Sequence, residues 1–335
     1  MIIESSAPTR VDLAGGTIDI WPLYLFHPGA STVNFAISLR ATCRIETRDD
    51  DRIILESRDR NVVFETQLSA LDELAKEKRL ELISKLVHFF RPTVGFHLVA
   101  NSQAPAGAGL GGSSALAIAC IGALNQLSGN RFDRNKFIVL AANIESTVIR
   151  VPAGFQDYYA AFYGSASCIY YRPEGIERQA LEVDVSELER RIAICYTGEP
   201  RLSGINNWEM FKRHIDGEPE MFEMFGRIRD SAIRMREALT ANDWERAAAS
   251  MRQAYPNRKR LAPNITTPQM DALVEKALSH GAVGAKVCGA GGGGCIAFLC
   301  AEGKKPEVER ALGSEEGVEI LEWRVAREGL VVTSS

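Results

Sequence analysis

The chain has 335 residues, 46% of them hydrophobic, and a formal net charge of −4. That is ample apolar material for a large core divided between two domains. No basic surplus points to a nucleic acid and no apolar run reaches membrane-spanning length, so neither a nucleic acid nor a membrane is expected as a partner. The seven cysteines contain no C-x-x-C pair. Cys43, Cys120, Cys168, Cys195, Cys288 and Cys295 sit in apolar surroundings, the pattern of buried free thiols in a reducing, cytoplasmic compartment. The opening residues MIIESSAPTR lack the charged start and apolar core of a signal peptide.

β-Branched or alternating stretches predict strands at 2–6, 33–47, 52–56 and 94–100, and helices at 71–76 and 80–90. The run Pro105-Ala106-Gly107-Ala108-Gly109-Leu110-Gly111-Gly112-Ser113-Ser114-Ala115 follows. Its four glycines let the backbone turn sharply and gather several N–H groups at one point. An Ala-rich apolar stretch continues to about residue 127, with Leu116, Cys120, Ala123, Leu124 and Leu127 on one helical face. The glycines therefore open a helix, with a serine placed to cap it. A glycine loop feeding a helix N-terminus favours an anion, here a nucleotide phosphate.

Gly107, Gly109 and Gly112 satisfy G-x-G-x-x-G, but the sequence after the helix, 133–147, reads as another helix. The second strand and acidic residue of a dinucleotide fold are missing. No Lys follows the glycines, which excludes the G-x-x-x-x-G-K-[ST] loop, and a protein-kinase glycine loop would run into a strand. A strand at 166–171 and a turn at 172–175 mark the expected domain boundary, giving units 1–175 and 176–335. The second half holds a strand at 191–196 and helices at 221–239, 243–261 and 267–280. A second glycine cluster, 287–294, precedes an apolar strand at 295–299.

Three segments then align in order along essentially the whole chain: 7–19 (APTRVDLAGGTID), 105–115 and 286–298. Together they resemble the three motifs of the GHMP kinases. The Leu13-Ala14-Gly15-Gly16-Thr17-Ile18-Asp19 segment looks most like the sugar kinase branch that includes the heptose 7-phosphate and fucokinase-like kinases. So does 154–164 (GFQDYYAAFYG), although Tyr158 stands where those kinases carry a second Gln. The resemblance implies an α+β, two-domain fold: a ribosomal-S5-domain-2-like N-terminal domain and a ferredoxin-like C-terminal domain. It further implies an ATP- and Mg²⁺-dependent kinase that phosphorylates a sugar or sugar phosphate, such as a heptose 7-phosphate, at the anomeric hydroxyl.

The resemblance also assigns roles. Asp157 aligns with the family's catalytic acid, as base or hydroxyl orienter, the bland alternative being a helix cap. Arg10 matches the basic residue paired with it, against the alternative of a surface ion pair. Pro105, Gly107, Ala108, Gly109, Leu110, Gly111, Gly112, Ser113 and Ser114 carry the nucleotide, with Gly291 and Gly292 supporting it. Ser114 and Glu145 hold Mg²⁺, one hydroxyl and one carboxylate suiting a hard cation that keeps several waters. Thr17, Asp19, Gly154 and Asp157 face the acceptor. Trp21 and Tyr24 suit either a sugar ring or the core. Lys286 suits either the surface or a phosphate. Acceptor specificity is expected in loops near 13–29, 154–159 and 198–208. Two rivals stand beside this reading: a non-sugar alcohol of the mevalonate or homoserine type, and a non-catalytic ligand sensor of the same fold. A homodimer is left open.

Overall fold

The computed structural model describes residues 1–200 and 205–335. In chain order the first half runs β1 (Ile2–Ala14), β2 (Ser31–Thr47), β3 (Arg52–Ser57), β4 (Val62–Gln67), α1 (Glu81–Phe90), β5 (Phe96–Ser102), α2 (Gly112–Leu127), α3 (Phe137–Ile149), α4 (Gln156–Tyr163), β6 (Ala166–Arg172) and β7 (Gly175–Ala180). The second half runs α5 (Val185–Arg191), β8 (Ile192–Tyr196), α6 (Ile205–Ile215), α7 (Pro219–Thr240), α8 (Trp244–Arg260), α9 (Pro268–Ser279), β9 (Ala282–Val287), β10 (Cys295–Cys300), α10 (Lys305–Gly313), β11 (Glu319–Ile320) and β12 (Val331–Ser334).

The larger sheet follows β12-β1-β2-β5-β3-β4, with β6 and β7 added beside β2. Its pairs are antiparallel except β3 with β5. The last strand, β12, returns from the end of the chain to pair with β1, Ile3 lying opposite Ser334. The smaller sheet is antiparallel, β11-β8-β10-β9. Its strands alternate as period two demands. Ile192 and Ile194 join the core shared with α7, α8 and the first sheet, while Ala193 and Cys195 pack beneath α9 and α10.

Sequence and structure differ at α2. It is buried all round rather than on one stripe. Gly122 explains how: a Cβ there would lie 2.8 Å from Val332 and 3.0 Å from Ser5 Oγ, so the small residues let the helix sit close against β1 and β12. The expected serine cap is also absent. The N-cap position is Gly111 in the left-handed region (φ 74°), with no side-chain cap bond. Strand β1 runs through Ala14 where only 2–6 reads as strand, because 7–14 pairs with β2 across two irregularities in register.

Candidate active site

Strand β1 positions the first functional side chains. Its period-two pleat turns Val11 and Leu13 into the shared core and brings Arg10 and Asp12 to the opposite face. The Arg10 backbone N–H donates to the Leu110 carbonyl (2.9 Å), fastening the glycine-rich loop to the strand. Arg10 itself is 2% exposed and is no surface ion pair. Its Nη1 donates to the Gly109 carbonyl (2.6 Å), while Nε (2.8 Å) and Nη2 (2.6 Å) both reach Asp157 Oδ1. Burial works against the guanidinium charge, but Asp157 and Asp12 outweigh it and hold Arg10 protonated.

Asp157 lies in the first turn of α4, whose N-cap position is Phe155, so the acid is not the cap. Asp19 serves there: its Oδ2 accepts from the Gln156 N–H (3.0 Å) and its Oδ1 from the Thr17 N–H (3.1 Å). Burial is the main cause of Asp19's carboxyl rising to about 6, the Gln156 N–H opposing it. Gly154 is the residue this arrangement needs, since a Cβ there would meet Asp19 Oδ2 at 2.3 Å. Thr17 has a φ of 85° and its hydroxyl is bonded by Arg258 Nη1 (2.5 Å). Thr17 and Asp19 are thus buried and already engaged in shaping the loop.

Glu145, on α3, accepts three hydroxyls: Ser113 Oγ on Oε1 (2.5 Å), and Ser114 Oγ (2.9 Å) and Tyr158 OH (2.6 Å) on Oε2. Burial pushes the Glu145 carboxyl up and the Tyr158 phenol well up, the hydroxyl donors partly offsetting the rise at Glu145. No group of three or more His, Cys, Asp or Glu gathers among the described residues. One buried carboxylate beside hydroxyls fits a hard cation that draws its other ligands from water and phosphate, as Mg²⁺ does. Tyr158, where a Gln was expected, therefore binds the candidate metal carboxylate directly.

A cleft of about 520 Å³ runs along the glycine-rich loop. Residues 104–114 line it, together with Glu145, Gly154, Asp157 and Tyr158. Leu80, Ile83, Val148, Ile149 and Pro152 form an apolar wall suited to a planar base, with Arg60 and Lys78 also lining the cleft. These residues carry no motif; they converge through the packing of α1 and α3 beside the turn between β3 and β4. Gly291 and Gly292 do not line this cleft. They turn against Ile265 and Asn264, and Ala290 is the residue of that cluster that reaches it. Gly294 and Cys295 brace the loop from behind: the Cys295 N–H donates to the Ala108 carbonyl (2.7 Å), and a Gly294 Cβ would lie 2.7 Å from that same oxygen.

Lys286 is neither surface nor free. It is 8% exposed and its Nζ lies 2.6 Å from Asp12 Oδ2. Burial alone would raise the Asp12 carboxyl; Lys286 and Arg10 outweigh it and bring it down to about 2. Tyr24 belongs to the core against Tyr171, whereas Trp21 is 58% exposed. Of the expected specificity loop 198–208, residues 201–204 lie outside the described residues. All seven cysteines are buried, and no helix among the described residues is long and apolar enough to cross a membrane.

The family description "GHMP kinases N terminal domain" matches residues 73–165, and "GHMP kinases C terminal" matches 235–319. The chain is 28% identical over 337 residues to a D-glycero-alpha-D-manno-heptose 7-phosphate kinase of Campylobacter jejuni, covering 98% of each chain. It is also 28% identical over 346 residues to a mevalonate kinase of Pyrococcus horikoshii, covering 98% of this chain and 97% of that one. The fold is shared with a D-glycero-D-manno-heptose 1-phosphate kinase of Bacteroides thetaiotaomicron, with a TM-score of 0.78, 24% identity and 99% of each chain covered.

Proposed function

This chain belongs to the GHMP kinases, ATP-dependent phosphotransferases with an alcohol acceptor, and we propose that its acceptor is a sugar or sugar phosphate phosphorylated at the anomeric hydroxyl. The observation that carries this reading is the position of Asp157. It is one-fifth exposed, lines the same cleft as the glycine-rich loop, and is held by Arg10, which also grips that loop at Gly109. An acceptor hydroxyl at Asp157 therefore lies beside the phosphates the loop would bind.

Phosphoryl transfer asks the protein mainly for positioning and for charge opposite the phosphate oxygens. Both Arg10 contacts with Asp157 go to Oδ1, and this leaves Oδ2 to orient the hydroxyl or accept its proton. Arg10 stays charged and steadies the transferred group. Ser114 and Glu145 are the residues that would hold Mg²⁺, with Ser113 and Tyr158 fixing the carboxylate. The chemistry supplied by a bound Mg²⁺ is neutralisation of the phosphate oxygens. Thr17 and Asp19 shape the acceptor loop, and Gly154 gives that loop room. The chain divides near residue 175, with β12 returned to the first unit by its pairing with β1. The burial of all seven cysteines supports a reducing, cytoplasmic setting.

A mevalonate-type acceptor is the second reading, favoured by the mevalonate kinase relatives. The test is ADP release with Mg-ATP against free sugars, heptose and hexose phosphates, mevalonate and homoserine. Turnover confined to a sugar or sugar phosphate supports the proposal. Turnover confined to mevalonate or homoserine, or none with any acceptor, contradicts it.

A further inference from the structure

A second cavity, of about 180 Å³, lies where the end of β1 meets α7 and α8. Gly15, Gly16, Arg234, Asn257, Arg258 and Lys286 line it, and none of them lines the nucleotide cleft. We infer that this cavity binds the phosphomonoester of a phosphorylated sugar acceptor, an inference that rests on the sugar kinase reading above.

Arg227, Arg234, Arg258 and Lys286 converge on a space too small for a nucleotide. Asp12 answers Lys286 and Glu223 answers Arg227. Arg234 meets no carboxylate among the described residues, and its Nε is buried without a hydrogen-bond partner. Asn257 is 7% exposed; its Nδ2 donates to the Met224 carbonyl (3.1 Å) while its Oδ1 has no donor. Buried polar atoms left unpaired cost free energy, and a guanidinium fork matches a phosphate group. A phosphomonoester supplies acceptor oxygens for Arg234, and the sugar it carries supplies a hydroxyl for Asn257.

Arg258 bonds both the Thr17 hydroxyl and the Gly289 carbonyl (2.8 Å), so the cavity wall is tied to the acceptor loop. Lys286 connects through Asp12 to Arg10 (3.8 Å between Asp12 and Arg10), and Arg10 holds Asp157. Gly16 places no side chain between loop and cavity, and a Cβ there would strike Asp12 Oδ2 at 2.6 Å. An acceptor with its reacting hydroxyl at Asp157 thus extends its far end toward these cations. The several cations suit a dianion better than the single charge of a carboxylate.

The test compares heptose 7-phosphate with the matching free heptose, using wild type, Arg234→Gln and Arg234→Lys under Mg-ATP. The expected result is that Arg234→Gln lowers the kcat/KM ratio of phosphorylated over free sugar by about tenfold or more, through KM, as loss of a charged hydrogen bond predicts. Arg234→Lys restores part of that ratio. Inorganic phosphate competes with the phosphorylated acceptor in wild type and competes less in Arg234→Gln. An unchanged ratio in Arg234→Gln, with the wild type active on sugars, overturns the inference while leaving the sugar kinase reading intact. Inorganic phosphate acting without competition makes this a regulatory site and overturns it. So does mevalonate turnover whose KM depends on Arg234. Absence of turnover on either sugar by wild type overturns the sugar kinase reading, and this inference with it.

Discussion

Arg10 and Asp157 stand 147 residues apart in sequence and meet at a single oxygen, Asp157 Oδ1, through two nitrogens of one guanidinium. The other carboxylate oxygen lies against Gly111, 3.2 Å from where a Cβ on that glycine would be. A side chain at 111 would crowd the oxygen that this geometry leaves for the acceptor. Strand β1, the glycine-rich loop and α4 are thereby locked into one arrangement by one side chain.

Removing the charge at Asp157 tests that arrangement. Asp157→Asn is expected to lower kcat by about 10²–10⁴, the range of a positioned proton acceptor. Nucleotide affinity should hold, because the loop remains fastened through the Arg10 backbone and the Cys295 N–H. Steady-state ADP release and a nucleotide titration separate the two; equal loss of both would assign Asp157 to nucleotide binding.

Gly154→Ala places a methyl 2.3 Å from Asp19 Oδ2. The clash is with a buried carboxylate already bonded to the Gln156 and Thr17 N–H groups, so we expect destabilisation of about 1–3 kcal/mol, as for overpacking elsewhere. Acceptor KM should rise more than ATP KM. Thermal unfolding and paired KM values read this, and wild-type values for both would show the loop free to move aside.

Glu145→Gln removes the charge that would hold Mg²⁺ while keeping the shape that receives Ser113, Ser114 and Tyr158. The Mg²⁺ concentration for half-maximal activity should rise at least about tenfold, the scale on which metal sites respond to such changes. A magnesium titration of ADP release measures it. An unshifted midpoint would exclude Glu145 from the metal site.

The pH dependence of stability carries a definite sign at Asp19. Burial raises its carboxyl to about 6 in the folded protein, above the ordinary value of 3.8. The folded state then holds a proton that the unfolded state has released, between about 4 and 6. The stabilising contribution is full below about 4 and is lost as pH rises through about 6. Asp19→Asn should therefore gain stability relative to wild type on going from pH 4 to pH 8. Denaturant unfolding at the two pH values checks this; a pH-independent difference would mean that Asp19 titrates normally.

Local chemistry made the motifs legible. The glycine-rich loop, the Arg10 segment and the Asp157 segment are short and carry their own spacing, and the structure brings Arg10, Asp157, Ser114 and Glu145 into one site. What sequence missed depends on long-range packing. Arg258 lies on a helix 241 residues from Thr17, and nothing in its neighbourhood marks it as a site residue. Lys286 looks like any strand-end lysine until Asp12 is placed opposite it. The α2 stripe misled because Ala and Gly on its other faces are silent in hydrophobic periodicity yet pack tightest. Strand β12 was invisible because its four residues gain meaning only from the edge of β1.

The most direct test of the account is ³¹P NMR of the product formed from Mg-ATP and a turned-over sugar, run with wild type and with Asp157→Asn side by side. A new sugar phosphate resonance, split by the anomeric proton, is expected with wild type and is nearly abolished in the variant. Phosphate on a non-anomeric oxygen would contradict the assigned acceptor hydroxyl. An equal rate in Asp157→Asn would contradict the site itself.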